Sequence, residues 1–505
     1  MIPRLPRTIG GLTVLAGAAL TLGFAPFYLW PVGVVALAFL FHLLCRASSG
    51  KQAAMAAFVF GMGHFTSSLY WIPRSFYLDA GERIVPMLIG GIPALLGMCV
   101  MLSAYLAVVG WVTYRAGGVQ RTMDPSFRWD DTNGRRFIQP LVFIGAWVGV
   151  EIWRNVPPFY FPWNPLGTMW AGSLPLMQSA SVVGVWGMSA LVLLLAVLVA
   201  QRTRVALTVA AVLVIVLFGF GHYRLAQAPT LSAQPAQTWV RLVQADIGTI
   251  TKWEGSKRYE NVEKYLTLSA TSNPSVTAII WPETAVAFTV ADDAGIRAKL
   301  ASVLQPWQTL TLGFMRFEQP DPALPYSMFN SMGTLEANGQ LLGTYDKHLL
   351  VPFGEVLPLK ALTERFLRVI SVHRGSFVHG TTPAILPMGE ITAMPLICYE
   401  AGFPAFVASQ WQGQTALLNI SNDNWFEHTI GPAQHFALGR LRAVELGLPF
   451  IRVANTGWSG VIDPYGRIIN QAGPAPNGID VPVPSPLPQP PLMHAIWAFL
   501  YDKLN

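Results

Sequence analysis

The sequence predicts a chain in two parts, a multi-span α-helical membrane domain followed by a layered α/β domain. Three observations carry this reading. Of 505 residues, 52% are apolar and only 12% charged, about half the charged share of an ordinary soluble domain. The charges are sparse before about residue 223 and ordinary after it. From Thr238 onward, short apolar runs alternate with polar helical stretches, as strands and helices do in a layered α/β domain. The length suits two domains of ordinary size. The expected boundaries are 1–222 for the helical domain, 223–484 for the α/β domain and 485–505 for a proline-rich linker with a short apolar end.

In the first part, Arg4 and Arg7 precede an apolar stretch over 8–24. No small-residue cleavage site leads from it into a soluble segment, so it reads as a first span and not a removed signal. Further candidates lie at 31–45, 53–72, 84–114, 138–154, 176–200 and 205–222. Each is near the length that crosses about 30 Å of hydrocarbon as a helix, giving about seven spans.

Loop charges orient them. Taken on alternate loops, one side holds Arg4, Arg7, Arg46, Lys51, Arg115, Arg121, Arg128, Arg135, Arg136, Arg202 and Arg204; the other holds Arg74, Arg83 and Arg154. Positive loops mark the cytoplasmic face. An odd number of spans then delivers everything after His222 to the outside. The net charge of +6 lies largely in these loops, so it reports orientation and not nucleic-acid binding.

The stretch 156–165 is rich in aromatics and proline. It reads either as an interfacial aromatic belt or as a wall of an opening for lipid. Glu151 and Arg154, at i and i+3, read as mutually neutralising near the membrane edge and are assigned no chemistry.

In the second part the pattern predicts strands at 239–245, 278–281, 309–313, 415–420, 449–454, 460–463 and 467–471. Helices are expected at 257–269, 294–304, 404–412 and 431–447, and a hairpin over 328–345 turning at Asn338-Gly339. The stretch 481–491 reads as a linker. The apolar 492–500 is too short to cross a bilayer as a helix.

Three strand-like runs end in reactive groups. Ala278-Ile279-Ile280 leads into Trp281-Pro282-Glu283; another strand leads into Asp346-Lys347-His348; and Met394-Pro395-Leu396-Ile397 ends in Cys398-Tyr399-Glu400. A thiolate is the strongest ordinary nucleophile, and a thiol near pKa 8.5 needs a base and a nearby cation to become one. Of three cysteines, Cys45 and Cys99 fall in apolar spans and read as small buried hydrophobes. Cys398 is the one thiol of the second part. No H-E-x-x-H pair, G-x-S-x-G elbow or Walker-type glycine loop competes. No metal and no cofactor are expected. His428 and His435 read as solvated or capping residues, and His348 as structural.

Glu283, Lys347 and Cys398, in this order and each at a strand end, resemble the triad of the nitrilase superfamily. The wording around them (WPET, KHLLVPFGE, ICYE, SNDNWF) narrows the likeness to bacterial apolipoprotein N-acyltransferases. The resemblance implies an αββα nitrilase-like sandwich, which periodicity does not supply, with Glu283 as base, Lys347 as fixed cation and Cys398 as nucleophile. It implies supporting parts for Glu355, Tyr399, Glu400 and Trp253, and an acyl pocket lined by Val351 and Phe353. For Glu355 and Glu400 the alternative is a plain salt-bridge partner. The segment 355–370 reads either as a core-facing helix or as an amphipathic arm on headgroups.

The implied reaction takes an acyl chain from a membrane phospholipid, typically phosphatidylethanolamine. It passes that chain through a thioester on Cys398 to the N-terminal amine of a diacylglyceryl-cysteine apolipoprotein. The implied location is the bacterial inner membrane, multi-pass, with the catalytic domain on the periplasmic face. Two departures stand out: Asn424 and Glu427 replace the family's usual residues, and the final apolar segment is short. The competing readings are a membrane-tethered amidase or nitrilase-type hydrolase with the same triad, and a non-catalytic lipid-binding protein on a retired enzyme fold.

Overall fold

A computed structural model of the chain describes residues 7–79, 82–117, 135–157, 160–230, 238–271, 273–319, 326–352, 354–356, 377–473, 475–493, 496 and 499. The chain divides into two compact units. One comprises Met1–Pro73, Met87–Val156 and Asn164–Tyr223, the other Arg74–Pro86, Pro157–Trp163 and Arg224–Asn505.

Helices occupy each of the seven apolar stretches: α1 (Arg7–Thr21), α2 (Trp30–Arg46), α3 (Gly50–Ser68), the composite Ile84–Ala116, and then Arg135–Trp153, Ala180–Gln201 and Arg204–Ala226. Among the described residues three helices, Ile84–Ala116, Ala180–Gln201 and Arg204–Ala226, are long and apolar enough to cross a membrane. Apolar side chains such as Leu15, Val205 and Ile215 are more than 60% exposed, which suits a hydrocarbon surround and not water. α1 and α3 meet through reciprocal glycines. A Cβ on Gly17 would stand 2.0 Å from the Phe60 carbonyl oxygen, and one on Gly63 2.1 Å from that of Val14. Small residues of this kind let helix backbones close together in lipid, where no hydrophobic force drives them.

The second unit holds two six-stranded mixed sheets. The first runs β12-β1-β2-β3-β4-β5, from β1 (Thr238–Gln244), β2 (Val276–Ile280), β3 (Thr309–Glu318), β4 (Ser327–Glu336), β5 (Leu341–Asp346) and β12 (Asn477–Val483). The second runs β11-β10-β9-β8-β7-β6, from β6 (Leu386–Met388), β7 (Ile391–Ile397), β8 (Ala416–Ser421), β9 (Phe450–Ala454), β10 (Ser459–Ile462) and β11 (Ile468–Ala472). The central strands are parallel, β1 with β2 and β2 with β3, and β7 with β8 and β8 with β9. Parallel strands are covered on both faces, and β8 is buried at all six positions. Outside the first sheet, Val262 and Tyr265 of the helix Arg258–Ser269 and Ile296 and Leu300 of Ala294–Ala301 pack on Ile279, Leu310 and Leu312. Gly339 takes φ +80° at the β4–β5 turn, a conformation that costs a residue bearing a Cβ.

One expectation about the elements is overturned. The stretch 481–491 is not linker throughout, because Val481, Pro482 and Val483 complete β12, paired antiparallel to β1 with Trp239 opposite Pro482. β12 is the edge of its sheet, the place where a proline's missing N–H is tolerated. The aromatic stretch before Asn164 packs on the α/β unit. Trp163 Nε1 donates to Gln434 Oε1 at 2.7 Å, and Tyr160 meets Phe403 edge-on. The apolar end at 492–500 and the arm at 355–370 lie mostly outside the described residues.

Candidate active site

Each triad residue lies at or just past the end of a strand. Glu283 lies beyond β2 in the first sheet, Lys347 is the residue after β5, and Cys398 is the residue after β7 in the second sheet. All three are buried. The turn at Cys398 has φ +55°, and Thr284, beside Glu283, has φ +46°. Non-glycine residues avoid this region unless their surroundings impose it.

Lys347 Nζ lies 2.9 Å from Glu355 and 3.5 Å from Glu283 Oε1, and 5.6 Å from the centre of the Tyr399 ring. Asn330 Nδ2 bridges the two carboxylates, donating to Glu283 Oε1 at 2.7 Å and to Glu355 Oε1 at 2.9 Å. Glu355 Oε2 accepts from Val351 N at 2.9 Å. Glu283 Oε2 is buried and has no hydrogen-bond partner among the described residues, so it is open to a proton from a reacting group. Burial pulls Lys347 toward the neutral amine, but Glu355, Glu283 and Cys398 outweigh it and hold the ammonium well above its ordinary range. Burial pushes the Cys398 thiol up, and Glu283 adds to this. Lys347 and the Ser421 hydroxyl oppose them. The resting thiol is therefore protonated, and its activation depends on a base that takes the proton.

Glu400 serves as a clamp. Its carboxylate accepts from the main-chain N–H of His348 at 2.8 Å, Leu349 at 3.0 Å and Ile397 at 2.7 Å, and from the Tyr345 hydroxyl. Those donors flank Lys347 and Cys398, so one buried side chain fixes the two strand ends relative to each other. The Tyr399 hydroxyl donates to Leu350 O at 2.6 Å. Val351 is half-buried beside this cluster, Phe353 lies outside the described residues, and Trp253 is 45% exposed.

Behind the thiol is a second network. Asn419 Nδ2 donates to the Cys398 carbonyl at 2.9 Å and its oxygen accepts from Arg452. Arg452 also pairs with Asp423 at 2.8 Å, and Asp423 accepts from His435 Nδ1 at 3.0 Å. Burial alone would raise Asp423, but Arg452 and His435 bring it down to about 2. His435 is thus neither solvated nor a cap. It faces inward from the helix Gly431–Leu446 at 1% exposure, because a buried carboxylate needs its partners buried with it. Asn424, one of the departures, donates to Ile247 O at 2.8 Å and accepts from Asn455. It therefore ties two loops together. Glu427, the other, stands 4.0 Å from Arg74.

Sequence reasoning missed Asn330, Asn419, Arg452 and the Asp423–His435 pair. Polar residues inside otherwise apolar strands (Asn419 in β8 and Arg452 in β9) were the available signal, since such residues are buried only with partners; the mixed strand β4 gives none for Asn330.

Comparison with known proteins accords with this geometry. Residues 16–198 match the family described as apolipoprotein N-acyltransferase N-terminal domain, and 239–481 match carbon-nitrogen hydrolase. The apolipoprotein N-acyltransferase of Bradyrhizobium diazoefficiens is 34% identical over 94% of this chain and 89% of its own length. That of Brucella melitensis is 32% identical over the same shares. This chain belongs to the apolipoprotein N-acyltransferase family. It is an acyltransferase of that family, a membrane protein with a nitrilase-like α/β part. Among solved structures, an amidase from Nesterenkonia sp. is similar at 16% identity and a TM-score of 0.37, over 51% of this chain and 94% of the amidase.

Proposed function

We propose that this acyltransferase carries a phospholipid acyl chain on Cys398 and delivers it to the α-amine of a diacylated apolipoprotein. The observation that carries the reading is the buried set of Cys398, Glu283 and Lys347, with Glu283 Oε2 open to a proton. Glu283 takes the thiol proton as Cys398 Sγ attacks the ester carbonyl. The oxyanion then forms next to the Lys347 ammonium, where a fixed cation in a dry site is most effective. Collapse breaks the ester C–O bond, and the leaving lysophospholipid oxygen takes the proton back from Glu283. In the second half-reaction the neutral amine attacks the thioester, Glu283 accepts an amine proton, and the Cys398 thiolate leaves and is reprotonated. The donor we propose is phosphatidylethanolamine. The proposed location is the bacterial inner membrane, with the catalytic domain on the periplasmic face.

A hydrolase could use the same three residues, so the deciding question is which nucleophile meets the thioester. Purified protein in detergent, given phosphatidylethanolamine, should gain the mass of one acyl chain on Cys398 and hold it for many minutes. A diacylated lipopeptide with a free N-terminal amine should discharge it as N-acyl product, and the N-acetylated peptide should not. Cys398→Ala should show no adduct. Rapid release of free fatty acid, unaffected by the lipopeptide, would favour the hydrolase.

A further inference from the structure

Lys252 is a second lysine at this site, and the reaction scheme above gives it no part. It lies on the short helix Thr249–Trp253, is 3% exposed, and directs its ammonium to the main-chain oxygen of Glu283 at 3.3 Å. A buried lysine is rare unless paired, and the charge acting on this one is that of Glu283. We infer that Lys252 is a positioning residue for the reaction, holding Glu283 in place and in its ionised form so that it can receive the Cys398 proton. The inference rests on the reading of Glu283 as base.

The groups facing Glu283 come from several elements. Lys347 approaches its Oε1 from the end of β5 and also pairs with Glu355, and Cys398 faces it from the end of β7. Asn330 contributes a neutral N–H from β4. Beside the Glu283 and Glu355 carboxylates, Lys347 supplies one ammonium and Lys252 a second. Excess negative charge raises a carboxyl pKa, so loss of Lys252 would leave Glu283 protonated over more of the working range. Burial brings Lys252 itself down to about 8, with Glu283 opposing. Its charge is therefore present below that pH.

The loop has an anchor of its own. Ile247 N donates to Asn455 Oδ1 at 3.2 Å, while Ile247 O accepts from Asn424 and Asn455. The segment is therefore tied to the domain by contacts other than that of Lys252.

The test is the pH dependence of Cys398 alkylation by iodoacetamide, read by mass spectrometry of the Cys398 peptide from full-length protein in detergent. Wild type should show an acid limb set by Glu283, and Glu283→Gln should remove it. Lys252→Gln keeps a donor for the Glu283 carbonyl but drops the charge. It should move the limb up by about one pH unit, roughly tenfold slower alkylation at a given pH on that limb. Lys252→Arg should restore the wild-type limb. A Lys252→Gln profile matching wild type, with only a lower melting temperature, would overturn the inference. So would failure of Lys252→Gln to accumulate as folded protein while Lys252→Arg does, which would assign the residue to folding alone. If Glu283→Gln leaves the limb in place, the base assignment falls first and the inference falls with it.

Discussion

At the scale of single residues, Glu400 shows how much a buried carboxylate can organise. Burial raises its pKa from the ordinary 4.5 to about 7, with the Ile397, Leu349 and His348 N–H groups and Lys347 opposing. The folded carboxyl thus holds its proton more tightly than the unfolded one. Its contribution to stability is present in full below about 4.5 and is lost as pH rises through about 7. Glu400→Gln should remove that slope from a series of melting temperatures against pH. It should also cost about 1–3 kcal/mol where Glu400 is ionised, above about pH 7, because the amide must turn its NH2 toward a main-chain N–H and leave a buried donor unsatisfied. Activity should fall with it, since Lys347 and Cys398 flank the clamped N–H groups. A flat profile in wild type would remove the argument.

At the scale of elements, β12 tests the reading of sequence as directly as it tests the fold. Val481 and Val483 are buried while Asp480 and Pro482 are only half-buried, so the alternation of a half-covered strand was present. The prolines hid it, because proline usually ends a strand and here sits on a permissive edge. Val481→Ala should cost about 1–3 kcal/mol, a two-methyl loss in a packed core. This would be measured as a lower midpoint of thermal unfolding, and an unchanged midpoint would place β12 outside the cooperative core.

Other elements were plain in the sequence for physical reasons. The Asn338-Gly339 turn was legible because few residues tolerate positive φ, and the runs before Glu283 and Cys398 because parallel strands are apolar on both faces. Glu283 and Cys398 could be named from those runs. What bridges or backs them could not. Asn330 lies in a strand far along the chain, and nothing local in Arg452 or His435 says that each faces Asp423. Folding makes those contacts around each sheet, Asn330 reaching Glu283 and Glu355 in the first and Arg452 and His435 meeting Asp423 in the second, and no periodicity encodes them.

At the scale of the whole molecule, the open prediction is which side of the membrane holds the α/β unit. Eleven lysines and arginines on one set of loops against three on the other is a bias of the kind that fixes orientation, since short positive loops are retained on the cytoplasmic face. Helices fill all seven apolar stretches. If each crosses, the chain begins inside and the unit after Arg204–Ala226 is outside. Single cysteines introduced between 250 and 470 should react with a membrane-impermeant maleimide on intact spheroplasts. Cysteines introduced at 116–136 should react only after the membrane is opened. The reverse pattern would place the thiol on the cytoplasmic side and remove the proposed acceptor with it, whatever the purified enzyme does in detergent.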